Sequence, residues 1–396
     1  MEPHRSALRW AILAQLYLCM FSYAVVFQSI PPVMSLIISH FHLSHHQAGL
    51  LMSLFALPGV FVSLPAGMLA DRYGVKPVGV LSMLLTISGD LLVSMGNSFG
   101  VVLAGRIIAG TGASSLVIIV PQAIAQWFAD RDMGVAMGIF NTAMPIGTII
   151  SLNAFPLLAG AWGWRSGIWA TILFTALALT IFAIFYRRPP DIPEKCREAS
   201  QPMPGVGSIG FPIWFVGGAW AFFNASIISL FTFASDFMVT KGFGLAFAGF
   251  DTSLVMVGSM VFSPVIGFMV DRVGRKELFI VFGSVGMASF LALLPGVSQN
   301  FGLLFLFVGF TAAFVPAPVF SLAAEVVTRE RLGMGYGILS TLNNVGVFLG
   351  PQLVGLSRDA TGSYRASFWL MAFFSALAAI VILTLWIKRR ANRAAS

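Results

Sequence analysis

Two ionisable side chains stand in sequence surroundings that offer them no water. Arg106 is the sole charge in Phe99 to Phe128, and Asp90 is the sole charge in Pro77 to Met95. A charge within hydrocarbon is costly, and it marks a solute path, a counter-ion or a proton relay. Two roles stay open for Arg106. It can pair with Asp90 and hold two helices together, in which case removing one partner is strongly destabilising. Alternatively it can face a cavity, where it would draw an anion or tune a proton site. Asp90 and Glu325 are the candidates for carrying a proton. Glu325 lies beside Arg329 and Arg331, which favours an ion-pair role. Asp236 and Asp251 fall near the outer ends of their apolar runs and read as outer-rim or helix-end charges, with a part in an outer gate as the alternative.

The runs that must position these groups dominate the chain. Of 396 residues 58% are hydrophobic and 10% charged, where a soluble domain carries about 25% charge. The apolar runs are long enough to cross a ~30 Å hydrocarbon core as helices. Twelve spans are expected, at roughly 8–38, 46–70, 77–96, 99–127, 133–159, 165–187, 208–238, 246–270, 277–296, 301–326, 333–357 and 365–388. The fold class is an all-α integral membrane protein. A Pro- and charge-rich stretch, Arg187 to Gly205, separates six spans from six, giving residues 1–187, a linker at 188–207 and residues 208–396. The first run is too long for a signal peptide's apolar region.

Lys and Arg follow the spans. With the N-terminus inside, 18 fall in inner segments and 4 in outer ones. That places both termini and the linker in the cytoplasm by the positive-inside rule. The net charge of +8 is therefore topological, and nucleic acid is not an expected partner. Neither a nucleophile–base pair nor a metal constellation is present, so no enzyme, cofactor or metal is expected.

The chain also repeats itself. Gly67, Asp71, Arg72, Gly74 and Lys76 recur as Gly267, Asp271, Arg272, Gly274 and Lys276, offset by 200. Gly134, Gly138 and Gly147 recur as Gly333, Gly337 and Gly346, and "WRSGIW" recurs as "YRASFW". Two like-oriented halves imply a pseudo-two-fold axis along the membrane normal. The glycines of the Asp-Arg loops permit a tight reversal, and the Gly134/Gly138 and Gly333/Gly337 pairs permit close helix approach.

The duplicated Asp-Arg loop resembles the signature loop of the major facilitator superfamily, and "LAGRIIAGTGA" (Leu103 to Ala113) resembles its fourth-span motif. The resemblance covers the whole chain. It implies two six-helix bundles that work by alternating access on a small-molecule substrate, as a monomer in the cell (inner or plasma) membrane. It also implies a cytoplasmic gate, in which Arg72 and Arg272 bridge to acids for which Asp130 and Glu325 are the candidates. Solute-path candidates are Tyr23 and Gln28 in the first span, Asn141 in the fifth, Trp220 and Asn224 in the seventh, and Asn343 and Asn344 in the eleventh. Each can equally hydrogen-bond a neighbouring helix.

A fainter likeness to cyanate, nitrate and monocarboxylate porters, together with Arg106, points to a small organic anion, with proton symport as an option. Nitrate porters carry an arginine within spans two and eight, and here neither Gln47–Ala70 nor Phe247–Val270 has one. A neutral, amphipathic or cationic solute, including one moved by efflux, is the alternative. A non-transporting sensor on the same scaffold ranks below both. Drug/proton exchangers of the superfamily carry Gly-Pro in span five, and this chain has its Gly350-Pro351 in span eleven instead. The histidines of "SHFHLSHHQ" (Ser39 to Gln47) could bind metal or sense pH, but they read better as an exposed outer loop, with Ser44 and Gln47 forming a capping box.

Overall fold

The computed structural model describes residues 3–128, 132–188, 210–328 and 332–395, all helix and turn. The helices are α1 Pro3–Phe27, α2 Met34–Phe41, α3 His45–Tyr73, α4 Val75–Met95, α5 Phe99–Phe128, α6 Met133–Asn141, α7 Ala143–Trp162 and α8 Arg165–Phe185. They continue as α9 Pro212–Thr240, α10 Leu245–Val273, α11 Lys276–Leu293, α12 Phe301–Ala312, α13 Pro316–Val326, α14 Leu332–Thr361 and α15 Tyr364–Ala395. Among the described residues, eleven helical segments are long and apolar enough to cross a membrane. The twelfth span is α14, whose apolar run is diluted by Asn343, Asn344 and Gln352.

Fifteen helices make twelve spans because three spans are broken, and each break has the same cause. A proline ring clashes with the carbonyl four residues earlier and donates no hydrogen bond. Pro31 stands four residues after Phe27, where α1 ends; Pro145 four after Asn141, where α6 ends; Pro316 four after Ala312, where α12 ends. A 3-10 turn, Pro31–Val33, joins α1 to α2. Six other prolines, among them Pro121 and Pro351, sit inside unbroken helices.

The chain forms two compact units. One comprises Met1–Val33 with Leu54–Met203, the other Met34–Ser53 with Pro204–Ser396. The division therefore falls inside the first span and inside α3, in addition to the stretch between α8 and α9. In the first unit α1 packs on α5, α7 and α8, and α4 packs on α5 and α8. Ile12, Leu16, Leu116, Phe128, Phe140 and Phe182 lie in its core. In the second, α9 packs on α14 and α15, and α11 packs on α12 and α15.

The internal repeat reappears as backbone contact. A Cβ at Gly110 would overlap the carbonyl oxygen of Phe55, and one at Gly309 would overlap that of Val255. The pairs expected from sequence behave otherwise. Among the described residues, a Cβ at Gly134, Gly138 or Gly337 meets no heavy atom within 4 Å.

Candidate functional site

The break at Pro31 creates the first site. A helix ends with carbonyls that no residue of the helix can satisfy, and those of α1 would end inside the membrane. Arg106, projecting from α5, meets them. Its Nη1 donates to Val26 O at 3.2 Å and to Ser29 Oγ at 3.4 Å, and its Nη2 donates to Phe27 O at 3.5 Å. Its Cζ lies 4.2 Å from the centroid of the Phe55 ring, a cation–π distance. Phe55 in turn packs with Phe27 at 5.6 Å and with Tyr23 at 6.4 Å, so an aromatic wall closes over the guanidinium. Arg106 is 0% exposed. The positive group also opposes the negative end of the α1 dipole. Capping a broken helix is a role that neither sequence reading of Arg106 anticipated. Its signal was present in the spacing of Pro31 from Phe27.

Gln28 lies between the residues that Arg106 binds. It is 1% exposed, and its Oε1 makes no hydrogen bond among the described residues. Asp90 is equally buried. Its Oδ2 accepts from Thr171 Oγ1 at 2.8 Å, and its Oδ1 makes no hydrogen bond among the described residues. Asn141 ends α6 at the second proline break and is exposed.

The second unit carries the other solute-path candidates. Trp220 stacks on Phe223 with centroids 5.4 Å apart, and Phe320 meets its edge at 5.4 Å. Asn224 gives its amide to Trp220 O, one turn back at 2.8 Å. Asn343 and Asn344 are half-buried on α14. The structure thus brings Tyr23, Gln28 and Arg106 together in one unit, and Trp220 and Asn224 together in the other.

The duplicated loops close their turns with different backbones. Gly74 has φ 89° and ψ 160°, while Gly274 has φ 67° and ψ 3°. Arg188 donates to Tyr73 O at 2.6 Å, and its guanidinium fills the space a Cβ on Gly74 would need. Gly74→Ala is expected to cost ~1–3 kcal/mol, because that backbone region is nearly confined to glycine. Gly274→Ala should cost less, since nothing occupies the space there. Unfolding midpoints of the two variants in detergent check the order.

Ion pairing at the loops departs from the sequence expectation. Gln122 donates to Asp71. Glu325 pairs with Lys276 rather than with Arg272, whose guanidinium lies 4.2 Å from the Phe268 ring. Lys276 sits at the first position of α11 and reaches the end of α13, the shorter path. Glu277 pairs with Arg389 at 2.9 Å, and Arg9 with Asp132 at 2.6 Å. Asp130 lies outside the described residues, as do residues 189–209 of the linker and the side chain of Asp271.

Two sequence readings are corrected at the other end of the helices. The capping box forms, with Ser44 N donating to Gln47 Oε1 at 2.9 Å. His45, however, is not in an open loop. Its side chain is 19% exposed and lies between Asp236 and Asp359. Asp236 is not a rim charge but is 4% exposed, and it accepts from the Tyr364 hydroxyl. The partners of His45 are remote in the chain, so no local pattern reveals them.

Known proteins share this architecture and sequence. A relative from Bacillus subtilis (strain 168), "Nitrite extrusion protein", is 25% identical over 92% of this chain and 90% of its own length. The "Lysosomal dipeptide transporter MFSD1" of Danio rerio is 21% identical over 95% of this chain and 87% of that one. The "Hexuronate transporter" of Bacillus subtilis (strain 168) is 23% identical over 85% of this chain and 86% of that one. Among solved structures, a bacterial homologue of the human lysosomal transporter Spinster, inward-facing and occupied, superposes with a TM-score of 0.78. It is 17% identical and covers 97% of each chain. The family model of the Major Facilitator Superfamily matches residues 16–250 and 213–396. The chain is a multi-pass membrane transporter and belongs to the Major Facilitator Superfamily.

Proposed function

We propose that this transporter moves a small organic anion by alternating access, with proton symport. The observation that carries the reading is Arg106, a guanidinium kept at 0% exposure where the first span is broken. Discontinuous spans are where transporters of several folds bind their charged solutes. Beside it, Gln28 offers a buried carbonyl oxygen that makes no hydrogen bond among the described residues. Arg recognises carboxylates through paired donors. The names of three relatives agree on chemistry: nitrite is an anion, a hexuronate carries a carboxylate, and a dipeptide ends in one. A carboxylate fits better than nitrate, because the only arginine in α3 is Arg72 and the only one in α10 is Arg272, each at the loop end of its helix. The positive-inside bias supports cytoplasmic termini, and the reading takes the protein as a monomer in the cell (inner or plasma) membrane.

A second reading rests on the aromatic set of α9 and α13. Trp220, Phe223 and Phe320 would suit an amphipathic or cationic compound.

The test is a thermal-stability screen of purified protein in detergent. It would include monocarboxylates, hexuronates, dipeptides, nitrite, nitrate, neutral sugars and organic cations. A ligand at 100 times its Kd adds about 2.7 kcal/mol to stability. Carboxylates are expected to raise the midpoint of the wild type and to leave that of a folded Arg106→Gln variant unmoved. A shift by cations or neutral solutes alone would replace the anion reading with the second one.

A further inference from the structure

His45 opens α3 within the second unit and is enclosed by acceptors on both sides. Its Nδ1 lies 3.0 Å from Asp359 Oδ1 and its Nε2 3.4 Å from Asp236 Oδ2. The carboxylate of Asp359 is committed already. It accepts the backbone N–H groups of His45 at 2.9 Å and His46 at 2.8 Å, and so caps α3 from the end of α14. Such a cap favours a negatively charged group at a helix N-terminus. Asp236 is engaged by the Tyr364 hydroxyl. Both faces of the imidazole therefore present an acceptor. A neutral imidazole donates from one nitrogen only and turns a lone pair toward the other acceptor, while an imidazolium donates from both.

The surroundings are set by four elements. From α9 come Asp236 and the Phe233 ring, and from α15 comes Tyr364, whose ring lies edge-on to His45 at 5.7 Å. From α14 come Asp359 and Arg358, the latter 4.9 Å from the Tyr364 ring. On α3 itself stands His46, whose Nδ1 is 3.3 Å from Gln352 O. Backbones meet beside the cluster: a Cβ on Gly355 would overlap the carbonyl of His45, and one on Gly49 would come within 2.6 Å of Pro351 O. Such contacts are either made or lost. They cannot be stretched, because no side chain is there to follow.

We propose that His45 is a proton-binding site of the transport cycle, and that the proton it takes from solvent fastens Met34–Ser53 to α9, α14 and α15. When the proton returns to solvent, one nitrogen of the ring opposes a carboxylate and the fastening weakens. Since α3 runs on from Ser53 into the first unit, fastening or releasing its first turns gives protonation a hold on the helix. The site requires no particular solute and so is independent of the anion reading.

The sign follows from the chemistry. The bridge is complete while the imidazole holds its second proton and is lost as pH rises through its titration. Hydrogen–deuterium exchange of the full-length protein in detergent reads this directly on the amides of residues 45–53. Corrected for intrinsic rates, their protection in the wild type is expected to fall about tenfold from acid to alkaline buffer. In His45→Gln it should be independent of pH. Asp236→Asn, which leaves the Asp359 cap intact, should move the transition to lower pH and keeps the test usable if His45→Gln does not fold. His46→Gln should leave the transition where it is. A wild type with no transition, or a transition that persists in His45→Gln or follows His46, overturns the assignment.

Discussion

Replacing Arg106 with leucine is expected to leave little folded protein to assay. The substitution removes three hydrogen bonds, those to Val26 O, Phe27 O and Ser29 Oγ, all on buried residues. Hydrogen bonds to charged groups contribute ~1.5–3 kcal/mol each, and an orphaned buried acceptor costs ~1–3 kcal/mol. Val26 O keeps Ser29 N and Ser29 Oγ as donors, so the orphan is Phe27 O. With the lost charged hydrogen bonds and cation–π contact the loss still sums to several kcal/mol, against a total stability of ~5–15 kcal/mol. Arg106→Lys should be intermediate. It keeps the charge at the end of α1 but cannot fork to Val26 and Phe27 at once. The expected order of unfolding midpoints in detergent is wild type, then Lys, then Leu, and the fraction of monodisperse protein should follow it. A Leu variant as stable as the wild type would show that the α1 carbonyls do not depend on this guanidinium. Folded Lys protein that no longer responds to carboxylates would separate recognition from capping.

Gly110→Val and Gly309→Val are expected to be at least as damaging, for a different reason. Each would drive a branched side chain into a carbonyl of the facing helix, Phe55 on α3 or Val255 on α10. Overpacking a core costs ~1–3 kcal/mol where side chains can move aside. Here the obstacle is backbone, so relief requires shifting a whole helix, and both variants should fail to yield monodisperse protein. Gly134→Ala and Gly138→Ala provide the contrast. Both lie in α6 with open space around them, and alanine is ~1 kcal/mol the better helix former. They should be neutral or stabilising in size-exclusion and thermal assays. A damaging Gly134→Ala beside a harmless Gly110→Val would mean that the closest contacts carry no constraint.

What could be read from sequence had local or periodic causes. Long apolar runs, the duplicated Asp-Arg loops and the asymmetry of Lys and Arg each leave a pattern within a few dozen residues, and the family followed from them. The positive φ of Gly74 and Gly274 belongs to the same class. The proline breaks have a local cause too, but composition masks them, since apolar residues continue through Pro31 and Pro316 without interruption. The environment of His45 was not legible, because its ring meets residues 191 and 314 positions away, Asp236 and Asp359. Nor could sequence choose Lys276 over Arg272 for Glu325. Both lie in one loop motif, and only the backbone decides which side chain reaches.

The repeated glycines keep a record of how the two halves have drifted apart. Gly67 and Gly74 match Gly267 and Gly274 at an offset of 200, but Gly110 and Gly147 match Gly309 and Gly346 at 199, and Trp164 returns to 200 with Tyr364. The second copy is thus one residue shorter between its Asp-Arg loop and Gly309, and one residue longer between Gly346 and Tyr364. A slipped residue within a helix would turn everything beyond it by about 100°, so these length changes are tolerated only where a turn can absorb them. The turns after α4 and α11, and those after α7 and α14, are the places that qualify. A chimaera that exchanges helices between the halves therefore needs its crossovers in those turns. One joined at equal numbering inside α5 and α12 would present the wrong face along its whole length.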